Sequence, residues 1–110
     1  MIGSDGHRQR VLEKFLTYGG EIFADYELLE FILMQSIPRK DVKPLAKELL
    51  NSFGSLEKVL NAPTDQLKQV KGVGNRTIAL FHLMMTVSQK ITKEKLVKTP
   101  VLADWQSLLD

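Results

Sequence analysis

The sequence has no cysteine, which excludes disulfide bonds and thiolate metal sites. It has no apolar run that approaches the roughly 20 residues needed by a membrane-spanning helix. Its N-terminus also lacks the basic-then-apolar arrangement of a signal peptide. The net charge of +2 is too small to indicate a polyanionic partner by itself. We therefore expect a cytoplasmic protein with no membrane partner.

Histidine is scarce, and neither His7 nor His82 lies in a metal-ligand spacing such as His-Glu-x-x-His. We expect His7 to be solvated, His82 to be structural at the core edge, and Glu27 and Glu30 to lie on helix surfaces. No serine or threonine has a recognisable base and orienting acid. The sequence therefore predicts no catalytic residue, metal, cofactor or small-molecule substrate.

Strand-like alternation is absent too, because every apolar segment repeats with helical spacing. At 110 residues and 44% hydrophobic content, the chain has the length of one globular domain. The predicted fold is all-α, a small bundle of five or six short helices. Its predicted helices are one ending at Gly19-Gly20, one N-capped by Asp25, one from about Asp41 to Phe53, one capped by Ser55, one over 65–70, and one from about Asn75 to about Lys93.

Residues 99–110 differ in sequence pattern from the predicted helices of the bundle. Thr99-Pro100 has the character of a linker, and Leu102 to Leu109 starts another helical turn. We expect residues 1–98 to form the helical domain and residues 99–110 to form a linker and the start of a following domain. The chain would then be a fragment of a longer protein.

The segment 70–76, Val-Lys-Gly-Val-Gly-Asn-Arg, joins the last two predicted helices. Two glycines allow a sharp turn with positive φ, and the N-terminus of the next helix directs its unpaired amides and positive dipole end to the same side. A glycine-containing helix C-cap is the simpler interpretation. The flanking cations favour a phosphate site instead, formed by Lys68, Lys71, Gly72, Val73, Gly74, Asn75 and Arg76.

Positive charge is concentrated in the same third of the chain. Residues 66–98 contain seven basic residues against the single acid Glu94, whereas residues 1–65 contain eight basic and ten acidic residues. This asymmetry is typical of a surface that meets a polyanion. Two alternatives stay open: Lys90 to Lys98 as a solvated helix end, and the turn residues Arg39, Lys40 and Lys43 as plain surface charge rather than additional phosphate contacts.

The pattern Leu67-x-x-Val70-x-Gly72-Val73-Gly74 resembles the helix-hairpin-helix motif of DNA-binding proteins, and the fold is expected to be SAM/HhH-like. The helix–turn–helix over 25–53 is expected to be its degenerate, glycine-free partner. One departure is the bulky Ile78 four positions after the second glycine, where many such motifs have a small residue; it is expected to widen the helix packing and weaken the pocket.

Several segments in order resemble the N-terminal region of the bacterial RadC family, whose members are described as DNA repair proteins. They are Gly6 to Arg10, Leu28-Leu29-Glu30, Ile37 to Leu50, Phe53 to Leu56 and Val70 to Gly74. The resemblance implies a following JAB/MPN-type domain with a His-x-His…Ser-x-x-Asp signature. That signature does not occur here, so no zinc ligand or catalytic residue carries over.

Three functions remain in order of preference. The first is a non-catalytic, sequence-independent DNA-binding module that grips backbone phosphates through the glycine hairpin. The second is a protein-interaction module whose hairpin helices dock the following domain or a partner. The third is a fragment of a DNA glycosylase of the endonuclease III type, ranked last because only Asp104 and Asp110 follow Glu94 and cysteine is absent.

Overall fold

The structure, a computed structural model, describes residues 2–98, with side chains for residues 6–97. All regular elements in this part of the chain are helical, which confirms the predicted all-α bundle. They are α1 (Ile2–Tyr18), a 3₁₀ turn (Gly20–Ile22), α2 (Asp25–Met34), α3 (Lys43–Phe53), α4 (Leu56–Leu60), α5 (Thr64–Lys68) and α6 (Asn75–Lys98). The predicted linker and helical turn over 99–110 lie outside the described residues.

The helix boundaries follow local chemistry. Gly54 ends α3 in the left-handed region, with φ of 101°, and the Ser55 hydroxyl accepts the amide of Lys58 at 3.2 Å to cap α4, as predicted. The prediction for Asp25 was wrong, because Ala24 occupies the N-cap position of α2. The Glu27 carboxylate, not a cap side chain, accepts the Ala24 amide at 2.9 Å.

The core lies where α2, α3, α4, α5 and the first half of α6 meet. α2 packs most extensively on α3, and both α4 and α5 contact α6. Helix α4 contacts α2, α3 and α6, and its apolar packing thereby joins the α5–α6 hairpin to the α2–α3 pair. The largest fully buried side chains of the core are Phe81, Leu29, Leu33, Leu49, Leu67, Val42 and Val59.

The second half of α6 has a different environment. Every side chain from Thr86 to Val97 is exposed, and the helix continues to Lys98 rather than ending near Lys93. Ile78 and Phe81 are buried, whereas Leu83, Met84 and Val87 lie on the surface. Among residues 2–98, no helix is both long enough and apolar enough to cross a bilayer.

Candidate nucleic-acid interface

The hairpin between α5 and α6 closes as a tight turn anchored in the core. The amide of Val73 donates to the carbonyl of Val70 at 3.1 Å, and the Val73 side chain is buried. Gly72 has φ of 96°, a conformation that L side chains rarely adopt. Leu67 and Val73 thus hold the two sides of the turn while Lys71 and Gly72 stay on the surface.

Helix α6 begins immediately after the second glycine, since the Gly74 carbonyl accepts the amide of Ile78 at 3.1 Å. In the described part of the chain, no protein acceptor takes the amides of Gly72, Gly74, Asn75 or Arg76. The amides of Gly74, Asn75 and Arg76 lie at the positive end of a 24-residue helix, and Gly72 lies in the turn just before it. Their arrangement suits an anionic oxygen.

Gly74 differs from the expectation that either glycine of the hairpin adopts positive φ. Only Gly72 does so, together with Gly19 and Gly54 elsewhere in the described chain. A Cβ placed on Gly74 would meet no atom within 4 Å. Neither backbone strain nor packing therefore requires glycine at this position, and the space around a Cβ at Gly74 is open.

The side chains around the turn are basic and accessible. Lys68, Lys71, Asn75 and Arg76 are all exposed, and the first turn of α6 contains no acid. Within residues 6–97, no ion pair joins Lys68, Lys71 or Arg76 to a carboxylate. An anion approaching the turn meets attraction from both the backbone and the side chains.

The turn between α2 and α3 lies directly beside the hairpin. The Lys40 Nζ is 4.0 Å from the position that a Cβ on Gly72 would occupy, and the Leu45 Cδ2 is 3.6 Å from it. Lys40 therefore supplies a further cation to the glycine turn. Lys43 does not, because its Nζ lies 5.9 Å from the centre of the Tyr26 ring on α2.

Arg8 on α1 holds this second turn in place, a role that the sequence did not indicate. Its guanidinium donates to the carbonyls of Met34 at 2.9 Å, Ile37 at 2.6 Å and Lys40 at 2.7 Å. A cation at the C-terminal end of α2 also complements the helix dipole. Arg39 in the same turn adopts φ of 63°, which costs on the order of 1 kcal/mol for a non-glycine residue.

A second link joins the two turns through hydroxyl groups. Ser36, just after α2, lies 2.8 Å from the hydroxyl of Thr77 in the first turn of α6. Thr77 is buried, as is its neighbour Ile78. The bulky Ile78 thus belongs to the core, while the smaller Ala79 faces solvent. These contacts fix the start of α6 relative to the end of α2.

Three polar residues away from the hairpin clarify the remaining predictions. His7 is not simply solvated, and Glu30 is not on the surface: His7 Nε2 lies 2.9 Å from Glu30 Oε2, and the Glu30 side chain is only 4% exposed. The sequence could not show this pairing, because the residues are 23 positions apart. His82 is structural as predicted, donating from Nε2 to the Ala62 carbonyl at 2.8 Å.

One carboxyl group titrates away from its ordinary range. The amide of Ala24 lowers the pKa of Glu27 by donating to its carboxylate, and Lys14 at 3.4 Å lowers that pKa further. Both partners stabilise the charged form. Glu27 is thus occupied in capping α2. Within the described residues, no group of three or more His, Asp or Glu side chains is placed to hold a metal ion.

Comparison with known proteins places this arrangement in a family. The family model described as UPF0758 N-terminal matches residues 6–79. The chain is 42% identical over 104 residues to a UPF0758 protein of Ruegeria pomeroyi, 46% over 98 residues to one of Rhodobacter capsulatus, and 44% over 105 residues to one of Fusobacterium nucleatum.

These alignments cover 94%, 89% and 96% of this chain but 46%, 46% and 45% of the relatives. The chain therefore spans about half the length of the curated relatives it matches. No solved structure matches the sequence. The relatives are named only as UPF0758 proteins, so the resemblance to RadC and to helix-hairpin-helix proteins stays a prediction.

Proposed function

The chain belongs to the UPF0758 N-terminal family, and we propose that it serves there as a non-catalytic module that binds DNA without sequence preference. The backbone amides of Gly72, Gly74, Asn75 and Arg76 take one phosphate group, whereas the Val73 amide is already bound to the Val70 carbonyl. Lys71, Arg76, Lys68 and Lys40 add electrostatic attraction around it. Contacts of this kind position a protein on nucleic acid but carry no sequence information.

The observation that supports the proposal best is the cluster of unpaired amides at an open, acid-free helix start. Backbone donors without protein acceptors are satisfied by water or by a ligand. Here they stand beside exposed cations that no carboxylate neutralises. A simple C-cap of α5 would need only Gly72, whereas Gly74 adds accessible space that packing does not use.

The affinity expected from one such site is modest. Non-specific DNA binding through phosphates typically has Kd of about 10⁻⁴ to 10⁻⁶ M at physiological salt. The resemblance to RadC would place the module in DNA repair. The rest of the longer protein, with a JAB/MPN-type domain by that resemblance, would then carry any catalysis while this module holds the DNA.

Gly74 provides the sharpest test. We expect Gly74→Val to retain the fold, because a Cβ there meets no atom within 4 Å. We expect it to weaken DNA binding about tenfold, the equivalent of about 1.4 kcal/mol, by keeping a phosphate oxygen from the amides. Fluorescence anisotropy with labelled duplex and junction DNA measures the binding, and circular dichroism checks the helix content.

The matched control is Ala79→Val, which adds bulk to an exposed position of the same helix away from the turn. It should bind DNA like the parent chain. Equal affinity of the Gly74→Val and parent chains would remove the hairpin from the proposed function. Equal losses in both valine variants would attribute the effect to helix stability rather than to the phosphate site.

The alternative function is a protein-interaction module without DNA binding. The exposed apolar side chains Leu83, Val87 and Ile91 on α6 favour it, because contiguous apolar surface marks contact sites. Binding of a protein partner that persists at high salt would support this alternative, since apolar contacts are not screened by ions.

A further inference from the structure

Helix α6 presents an apolar strip that the described residues leave largely uncovered. The strip consists of Leu80, Leu83, Met84, Val87 and Ile91, which all lie within about 60° of Val87 around the helix axis. Leu83, Val87 and Ile91 are 58%, 47% and 47% exposed. Contiguous apolar surface of this kind marks a contact site.

The strip continues into a groove beside α1 and α2. A cavity of about 460 Å³ lies between the three helices, and its lining includes Leu80 and Met84 of α6, Leu12 of α1 and Phe31 of α2. A second cavity of about 590 Å³ runs from Leu83 toward the C-terminal end of α6. Because Met84 lines both cavities, they form one surface. Between positions 80 and 91 this surface is about 17 Å long, which suits another helix.

The spacing of the strip favours a second copy of α6 as its occupant. Leu80, Met84, Val87 and Ile91 follow one another at intervals of four, three and four residues, the alternation with which the apolar residues of paired helices interlock. In an antiparallel pair with Met84 of one copy level with Val87 of the other, Leu80 comes level with Ile91. These residues then meet in successive apolar layers, and Ile91 of the second copy reaches the groove beside α1 and α2. The strip is thus complementary to itself.

Charge selects the antiparallel orientation. Positions 89–98 contain four lysines and Glu94, whereas positions 77–88 contain no Lys, Arg, Asp or Glu. A parallel pair would align the lysines of the two copies side by side, and like charges in contact oppose association. In the antiparallel pair the centres of the two lysine-rich ends are about 26 Å apart along the helix axis. That separation is well beyond the Debye length of about 8 Å at physiological salt.

A carboxylate gains a partner in the same pairing. Glu94 and Arg76 each lie within about 20° of Val87 around the helix, and Glu94 of one copy comes within one residue of the level of Arg76 of the other. Within one chain about 27 Å of helix separates them. Arg76 is exposed, and no ion pair joins it to a carboxylate in the described part of the chain. Because Arg76 also borders the glycine turn, a bound phosphate and Glu94 of the second copy would compete for it.

We propose that two copies of this chain associate through antiparallel α6 helices, with Met84 and Val87 of each copy in the central layers. The second copy supplies the apolar neighbour that the strip from Leu80 to Ile91 lacks. A contact of one helix pair and its groove is at the small end of specific interfaces, so the expected Kd is on the order of 10⁻⁵ M. The association does not depend on the proposed DNA binding, and its test uses no nucleic acid.

Sedimentation equilibrium of the 110-residue chain measures this association. At concentrations up to about 300 µM, well above the expected Kd, we expect an equilibrium between monomer and dimer. Val87→Glu places an unpaired charge in the central layers and should weaken the dimer at least about tenfold, the equivalent of about 1.4 kcal/mol. Leu96→Glu is the matched control, because Leu96 is also exposed and lies opposite Val87 on the helix. It should associate like the parent chain.

An exchange of charges tests the antiparallel orientation. Glu94→Arg should weaken the dimer about threefold, because it brings two cations level with each other at both ends of the pair. Adding Arg76→Glu to the same chain should restore the parent affinity. This rescue requires two chains, since the two positions are too far apart along α6 to pair within one.

Every variant changes an exposed side chain, so each should keep the circular dichroism of the parent chain. A parent chain that stays monomeric at the highest concentration would overturn the proposal. So would equal losses of association in the Val87→Glu and Leu96→Glu variants, or a dimer that Val87→Glu leaves unchanged. A double charge variant that associates no better than Glu94→Arg alone would refute the antiparallel pairing.

Discussion

A single carboxylate at the start of α2 shows how much one residue can do in this bundle. Glu27 accepts the Ala24 amide at 2.9 Å and lies 3.4 Å from the Lys14 ammonium on α1. It thereby satisfies an unpaired donor of the helix N-terminus and joins two helices. The sequence predicted Glu27 only as a helix-surface residue and Asp25 as the N-cap, so the capping role of Glu27 was not predicted.

The lowered pKa of Glu27 makes a pH-dependent contribution to stability. Because the folded pKa lies below the unfolded one, this contribution is fully present above the unfolded pKa and is lost as pH falls through the folded pKa. We expect Glu27→Gln to flatten the acid limb of a plot of unfolding free energy against pH between those two values. Urea denaturation at a series of pH values measures it.

The exposed Glu13 on α1 provides the matched control for that series. Glu13→Gln should leave the acid limb as steep as in the parent chain, because the exposed Glu13 carboxylate accepts a hydrogen bond only from Gln9 on the same helix, at 3.0 Å. Equal slopes for the Glu27→Gln variant and the parent would contradict the role assigned to Glu27.

At the level of elements, the second turn is shaped by a residue from another helix. Arg8 on α1 donates to three carbonyls between Met34 and Lys40, and Lys40 extends from this turn toward Gly72. The turn has no glycine, yet Arg39 adopts positive φ. The charge-assisted hydrogen bonds of Arg8 offset this local strain.

Removal of the Arg8 side chain is therefore expected to destabilise the fold. We expect Arg8→Ala to lower the free energy of unfolding by about 2 kcal/mol, because it removes hydrogen bonds from a charged donor and the dipole complement of α2. Chemical denaturation followed by circular dichroism measures this change. DNA affinity should fall as well, because Lys40 loses its fixed backbone.

Arg10 offers a control with the same substitution on the same helix. It is exposed, and no hydrogen bond or ion pair joins it to another described residue. Arg10→Ala should change stability by less than about 0.5 kcal/mol. A similar loss in both variants would mean that α1 depends on general charge rather than on the Arg8 contacts.

For the whole molecule, shape and charge are unevenly distributed. The radius of gyration of 17.1 Å exceeds the roughly 13 Å typical of a compact 100-residue domain, because the second half of α6 lacks neighbours among the described residues. The hairpin lies at one end of α6 and the lysine-rich segment at the other. About 22 Å of helix separates Asn75 from Lys90.

This separation allows the two basic regions to be distinguished by salt dependence. We expect the double variant Lys71→Gln/Arg76→Gln to reduce the magnitude of the slope of log K against log salt by about 2, because each phosphate contact contributes about 0.9. Lys90→Gln/Lys93→Gln makes the same charge change and should leave that slope nearly unchanged. Anisotropy titrations at several salt concentrations measure both.

Equal reductions in the two double variants would show diffuse attraction along α6 rather than a site at the hairpin. An unchanged slope in both double variants would show that Lys71 and Arg76 do not contact phosphates. The charge distribution along the sequence does not separate these cases, because both basic regions lie within residues 66–98.

The pairings between distant residues were not predictable from the sequence. His7 and Glu30 each read as surface residues, yet the fold brings them to 2.9 Å and buries the carboxylate. Ser36 and Thr77 are 41 positions apart and meet at 2.8 Å. In each case the sequence around a residue does not indicate which distant residue it contacts, because only the packing of α1 and α6 on α2 creates the contact.

The sequence by itself determined the all-α class, the caps at Gly54 and Ser55, and the glycine turn between α5 and α6. These features follow from periodicity and backbone preferences, which act between residues close in the chain. Tertiary structure alone decided that Arg8 holds the second turn, that Lys40 lies beside Gly72, and that Gly74 is not required by packing. Those outcomes depend on how the helices approach one another, because burial and distance are set by the assembled core.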